Sequence, residues 1–161
     1  MDLLTHVFLP LILLTAIGRL KAKYAPLVLL SILPDFDKLF FLGILHSVTT
    51  APVFAALFYL ERKIKHGYEI SVISSYFFFS HLFLDFLDGF VPLLYPISKI
   101  GVGIVFPAKL LIGNSSVAVE DIFPQLVFSE LKPSNCYELF SGFGFASMIF
   151  FFLIIAFRRK G

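Results

Sequence analysis

Charge is scarce in this chain: Asp, Glu, Lys and Arg make up 15% of its 161 residues, tryptophan is absent, and Cys136 is the only cysteine. One cysteine excludes an internal disulfide and reads most simply as a buried thiol. The formal net charge of +2 is close to neutral and argues against a nucleic-acid partner. There is no GxSxG elbow, Walker-type loop or dinucleotide fingerprint. Neither an internal repeat nor a low-complexity linker divides the chain, so one integral membrane domain over residues 1–161 is expected. What fills it is apolar: 58% of residues are hydrophobic, 22 of them Phe, and the mean hydropathy is +0.92. Soluble domains are about half apolar and about a quarter charged, so this is the composition of a membrane protein.

Hydropathy places five candidate spans, short or interrupted except the last two. Residues 3–17, LLTHVFLPLILLTAI, form the first. Asp2 stands where a signal peptide would carry a basic region, and no small-residue cleavage site follows, so a retained span is expected. Residues 24–33 form the second, which meets PDFDK and resumes as LFFLGIL. The third runs from His46 to Leu60 and ends at ERKIKHG. The fourth, residues 70–87, is about 27 Å long at the helical rise. VPLLYPISKIGVGIVFPAKLLIG follows, apolar but broken by Pro92, Pro96, Pro107 and several glycines. Bare backbone in lipid costs several kcal/mol per unpaired group, so this piece is expected to be interfacial or re-entrant. A polar stretch, residues 113–137, precedes the last span, 139–157, and its terminal RRK. The expected fold class is therefore all-α: a polytopic membrane helical bundle of about five spans with one broken segment.

Cytoplasmic loops carry the Lys/Arg excess. Arg19, Lys21 and Lys23, then Arg62, Lys63 and Lys65, then Arg158, Arg159 and Lys160 fall at alternate span ends. One assignment places all three clusters inside, with the N-terminus outside and the C-terminus cytoplasmic, in a cell membrane. His6, Asp35, Asp37, His46, His81, Asp85 and Asp88 then all fall on the outer half, although none of them entered the assignment.

Those residues are where chemistry is expected. On a helix of about 100° per residue, Asp85 lies about 40° from His81 and Asp88 about 20° to its other side, so the three share one stripe. Ionisable groups in a span are costly and face a partner, an ion or a cavity. The plain alternative is a hydrogen-bonded His–Asp pair that stitches helices together. Asp35 and Asp37 sit at LPDFDK, which also reads as turn or N-cap chemistry. His6 alone reads as a satisfied core histidine, and His66 as solvated. Together, imidazoles and carboxylates from several spans suit zinc, with manganese possible. A dication there acidifies a bound water and polarises a phosphoryl or carbonyl oxygen.

The ordered set THVF (Thr5, His6), LPDFDK (Pro34 to Lys38), LHS (Leu45 to Ser47), SHLFLD (Ser80 to Asp85) and GFVPLLYP (Gly89 to Pro96) resembles the membrane-bound metal-dependent hydrolase family, also called LexA-binding, inner-membrane-associated hydrolases. A later GN…ED (Gly113, Asn114, Glu120, Asp121) is similar to that family's downstream polar segment. The family is in turn distantly similar to zinc-dependent phospholipases C. The resemblance implies metal ligands at His6, Asp35 or Asp37, His46, His81 and Asp85. It departs from the family's HRxxTHS pattern, since LFFLGILHS has no His-Arg.

The expected activity is metal-dependent hydrolysis of a phosphoester in a lipid or lipid-linked substrate. Asp88 and Asp37 are the candidate catalytic groups, able to orient water or accept a proton. Lys38 or Lys99 could neutralise a phosphate or mark the interface by snorkelling. The alternative is a non-catalytic membrane protein, a partner-binding subunit or ion pathway, using the same polar residues for helix packing.

Overall fold

The computed structural model describes residues 1–40, 43–106, 109–112, 117–120, 123–130 and 139–158; for 38–40, 109–112 and 117–120 it describes the backbone. Cys136, Gly113, Asn114, Asp121, Pro107, Arg159 and Lys160, and the side chains of Lys38 and Glu120, lie outside the described residues.

The described chain is mostly helical. Helix α1, Leu3–Ala16, starts where Asp2 Oδ1 accepts the Leu4 and Thr5 N–H groups, an N-cap that satisfies donors the helix cannot. It ends at Gly18, whose φ of +70° lets the Gly18 and Arg19 N–H groups turn back to the Thr15 and Leu14 carbonyls. A 3-10 helix, Ala22–Ser31, leads into α2, Leu33–Phe40. LPDFDK therefore opens a helix instead of stopping one: Pro34 suits a first turn, and Asp35 sits in that turn by the exposed N–H groups.

Helix α3, Ala51–Lys65, starts five residues later than the expected span, after a short 3-10 turn at Val48–Thr50. It runs on through Glu61–Lys65, because charged residues on a solvated helix end do not break a helix. Helix α4, Glu69–Asp88, matches the expected fourth span. Its start is capped from α3: Glu61 accepts the Ile70 N–H (3.0 Å), the Ser71 N–H (2.7 Å) and the Ser71 hydroxyl. Helix α5, Gly142–Arg158, closes the described chain.

The all-α expectation needs one correction. Residues of the stretch read as broken and polar form two antiparallel ladders, β1 (Ile100–Val105) with β4 (Gln125–Glu130), and β2 (Lys109–Ile112) with β3 (Val117–Glu120). IGVGIV alternates β-branched residues with glycines that hydropathy reads as breakers. Here Gly101 and Gly103 allow close approach: a Cβ on Gly103 would lie 1.4 Å from the Gly89 carbonyl oxygen at the end of α4.

Contacts fix the helix directions. Tyr24 and Lys21, just beyond the end of α1, bond Glu69 at the start of α4, while His6 near the start of α1 meets Asp85 near the end of α4. The two helices are antiparallel. Ser141 donates to Asp2 (2.7 Å) and Arg158 to the Thr15 carbonyl (2.8 Å), so α5 runs parallel to α1. The Lys21/Lys23–Glu69 cluster, the Glu61 cap and Arg158 thus share one end of the molecule, and His6, His81 and Asp85 lie towards the other.

Burial is inverted relative to a water-soluble domain. Thr5, His6, Asp37, Ser47 and His81 are almost wholly buried, while Phe143, Phe150, Phe152 and Phe157 on α5 and Val53, Tyr59 and Ile64 on α3 are exposed. Among the described residues two buried apolar clusters stand out, one of Leu11, Leu14, Tyr24, Ile73 and Phe77 and one of Phe78, Leu82 and Val91. Among the described residues α4 is the one helix long and apolar enough to cross a membrane; α1 and α5 are shorter apolar helices.

Candidate metal centre

Four elements deliver imidazoles and carboxylates to one buried point. α1 brings His6, the first turn of α2 brings Asp35, the turn before α3 brings His46, and α4 brings His81 and Asp85. One ligand atom from each of His6, Asp35, His81 and Asp85 lies within 4.8 Å of the others, a group that could hold a metal ion.

His46 joins them. Its Nε2 is 3.2 Å from His81 Nε2, 3.3 Å from Asp85 Oδ2 and 3.9 Å from Asp35 Oδ1. His81 Nε2 in turn is 3.5 Å from Asp35 Oδ1 and 3.4 Å from Asp85 Oδ2. Ligands about 2.0–2.1 Å from a tetrahedral ion stand about 3.4 Å from one another. The separations among His46, His81, Asp35 and Asp85 cluster around that edge length. On the far side of the Asp85 carboxylate, His6 Nε2 lies 3.1 Å from Oδ1 and makes no hydrogen bond of acceptable geometry there, although the ring is fully buried. A buried imidazole left that way is costly unless a further group completes it. Its ring also stacks on His81, with centroids 3.8 Å apart.

Supporting contacts orient these groups. His81 Nδ1 is 2.7 Å from the Ser31 carbonyl, an acceptor only, so the Nδ1–H donates to it and Nε2 is turned towards the carboxylates. Metal-ligating histidines are held in this way. The His46 turn is shaped by Gly43, whose φ of +116° a residue with a side chain rarely adopts, and whose carbonyl accepts the His46 N–H. The Leu93 carbonyl then accepts from the Ser47 hydroxyl (2.8 Å) and the Val48 N–H (3.0 Å), while Thr49 Oγ1 donates to the Tyr95 carbonyl (3.1 Å). The LHS and VPLLYP motifs are therefore joined by one clamp on the turn that follows His46.

The remaining candidates lie nearby with other contacts. Asp37 is buried and its Oδ2 accepts the Leu45 N–H (2.5 Å), which ties α2 to the His46 turn; its Oδ1 has no hydrogen-bond partner among the described residues. Asp88 is half exposed at the end of α4, 3.0 Å from the Met1 amino group, and stands outside the four-residue convergence. Lys99 is exposed, and His66 caps α3 in the solvated turn as expected. Sequence reasoning missed the Ser31 carbonyl and the Leu45 N–H, because a backbone group leaves no mark on residue identity.

Comparison of the chain with family models, curated proteins and solved structures finds no match.

Proposed function

We propose that this chain is a membrane-embedded, metal-dependent hydrolase acting on a phosphoester of a lipid or lipid-linked substrate, akin to the membrane-bound metal-dependent hydrolases its motifs resemble. The observation that carries this reading is the buried cluster of His6, Asp35, His46, His81 and Asp85, with the His81 ring turned so that Nε2 faces the carboxylates. Mixed imidazole and carboxylate donors without thiolate suit zinc, and tolerate manganese. Bound there, such an ion supplies Lewis acidity and a water acidified towards neutrality.

The chain's own groups take the remaining roles. Asp85 presents Oδ2 to His46 and His81 and Oδ1 to His6, so it joins the two sides of the cluster. Asp88, half exposed and on the same stripe of α4, is the group placed to receive a proton and pass it to solvent. Asp37 acts as a positioning residue through Leu45.

Membrane insertion is supported by the inverted burial and by the gathering of basic residues at the end away from the cluster. A polytopic bundle then has α1, the 3-10 helix with α2, α3, α4 and α5 as its passes, the N-terminus outside and the C-terminus cytoplasmic.

The test is turnover. The full chain, reconstituted in lipid and supplied with Zn2+ or Mn2+, is assayed on a panel of lipid phosphodiesters and phosphomonoesters before and after chelation. Chelator-sensitive release of product that disappears in Asp85→Asn supports the reading. A metal-loaded wild type inert on the whole panel removes hydrolysis and favours the helix-stitching role.

A further inference from the structure

A cleft of about 450 Å³ opens between the 3-10 helix Ala22–Ser31, α3 and α4. Its walls include Leu30, Leu33, Leu45, Val53, Leu57 and Phe78, and its polar side chains are Thr50 and Ser74. Thr50 Oγ1 already donates to the Ser47 carbonyl (2.8 Å), and Ser74 is buried. The cleft therefore offers an occupant almost nothing to hydrogen-bond. A peptide lying in it would leave its own N–H and C=O groups unpaired, at several kcal/mol in total. An unbranched hydrocarbon chain has no such groups to leave unpaired.

The cleft is also placed for one. Its upper end belongs to the metal centre: Leu45 precedes His46, Leu30 precedes Ser31, whose carbonyl holds His81, and Phe78 stands one helical turn before His81. Its far end reaches Leu60, near the Glu61 cap. From Thr50 to Leu60 helix α3 advances about 15 Å, half of a hydrocarbon core about 30 Å thick, the depth of one leaflet. Val53 and Leu60 are exposed at the rim, so the cleft opens sideways along α3.

We propose that this cleft seats one acyl chain of a lipid substrate, with the ester-bearing head group at the His–Asp cluster. The assignment rests on the hydrolase reading for its head-group end, and on the cleft alone for its chain end.

The experiment uses the full chain in vesicles containing a diacyl phospholipid with a diazirine near the end of one acyl chain. After photolysis, labelled peptides and bound metal are quantified in wild type and in Ala56→Phe, which fills the cleft from its exposed rim. Label concentrated on residues 53–60 and reduced about tenfold in Ala56→Phe, the cost of displacing roughly two methylenes, is the expected result, with metal content unchanged. Val53→Trp, a second filling change on the same wall, is expected to act alike. Label spread evenly over the outer faces of α3 and α5, or untouched by either folded variant, overturns the proposal. Cleft labelling in a folded wild type that takes up no metal would sink the hydrolase reading and leave the acyl cleft standing.

Discussion

The carbonyl oxygen of Ser31 stands 2.7 Å from His81 Nδ1, and this contact decides which nitrogen of a fully buried imidazole faces the carboxylates. The 3-10 helix that carries Ser31 thereby acts on α4 without contributing a side chain to the cluster. His6, by contrast, touches one oxygen of Asp85 and stacks on the His81 ring.

That difference predicts unequal effects on metal affinity. His81→Ala removes a group that touches Asp35, His46 and Asp85, and is expected to abolish tight binding. His6→Ala removes a member of the same four-residue group whose Nε2 meets the carboxylates at Asp85 Oδ1 alone, and is expected to weaken binding less than His81→Ala does. Competition titration with a chromophoric chelator separates the two; equal losses would contradict the arrangement.

Gly103 and Gly142 form a matched pair for stability. A Cβ on Gly103 collides with the Gly89 backbone, whereas a Cβ on Gly142 meets nothing within 4 Å. Gly103→Ala is expected to cost about 1–3 kcal/mol or more, since a backbone must move. Gly142→Ala should stay within about 0.5 kcal/mol. Thermal unfolding in detergent reads both, and a Gly103→Ala midpoint equal to wild type would show that β1 does not pack on the end of α4.

Ser47→Ala removes the hydroxyl that donates to the Leu93 carbonyl and accepts the Thr49 N–H. The expected loss is about 1 kcal/mol of stability. Faster proteolysis between Gly43 and Thr50 is expected with it, since the clamp on the His46 turn is opened. Ser98→Ala is the control, because its hydroxyl serves only the exposed Ile100 N–H.

Acid should open both helix caps. Burial raises the Glu61 carboxyl, but the Ser71 hydroxyl and the Ser71 and Ile70 N–H groups outweigh it and hold the group below the ordinary glutamate range. Asp2 is depressed in the same way, burial being outweighed by the Ser141 and Thr5 hydroxyls and the Thr5 N–H. A carboxyl depressed on folding adds stability above its unfolded value, about 4, and loses it as pH falls through the folded value. Stability should therefore drop below about pH 4, and Glu61→Gln should be less stable at neutral pH with a shallower acid slope. An unchanged slope would assign the acid transition elsewhere.

Much of the architecture could be read from the residues. An imidazole or carboxylate in a run such as SSYFFFSHLFLDFLDGF stands out because burial penalises it, which singles out His81 and Asp85; His6 reads alone as a core histidine and Asp35 as turn chemistry, and only the ordered motifs join them to the set. The boundaries of α1 and α4 followed hydropathy to within one residue at each end. α3 did not, because hydropathy cannot see that Ser47 and Val48 are bonded to Leu93 and that a helix continues through charge. The ladders of residues 100–130 were missed since Gly101 and Gly103 read as helix breakers, while their role is to let β1 approach Phe90 and Gly89. The Ser31 carbonyl was illegible in principle, as any residue there offers the same group.

The group of His6, Asp35, His81 and Asp85, with His46 against it, could hold a dication. The most direct measurement is the metal content of the full chain, purified in detergent, incubated with excess Zn2+ or Mn2+, and freed of unbound ion. At least one ion per folded chain is expected, retained in Asp88→Asn and lost in His81→Ala and Asp85→Ala variants that keep the wild-type helix content. A folded wild type that takes up neither ion would contradict it.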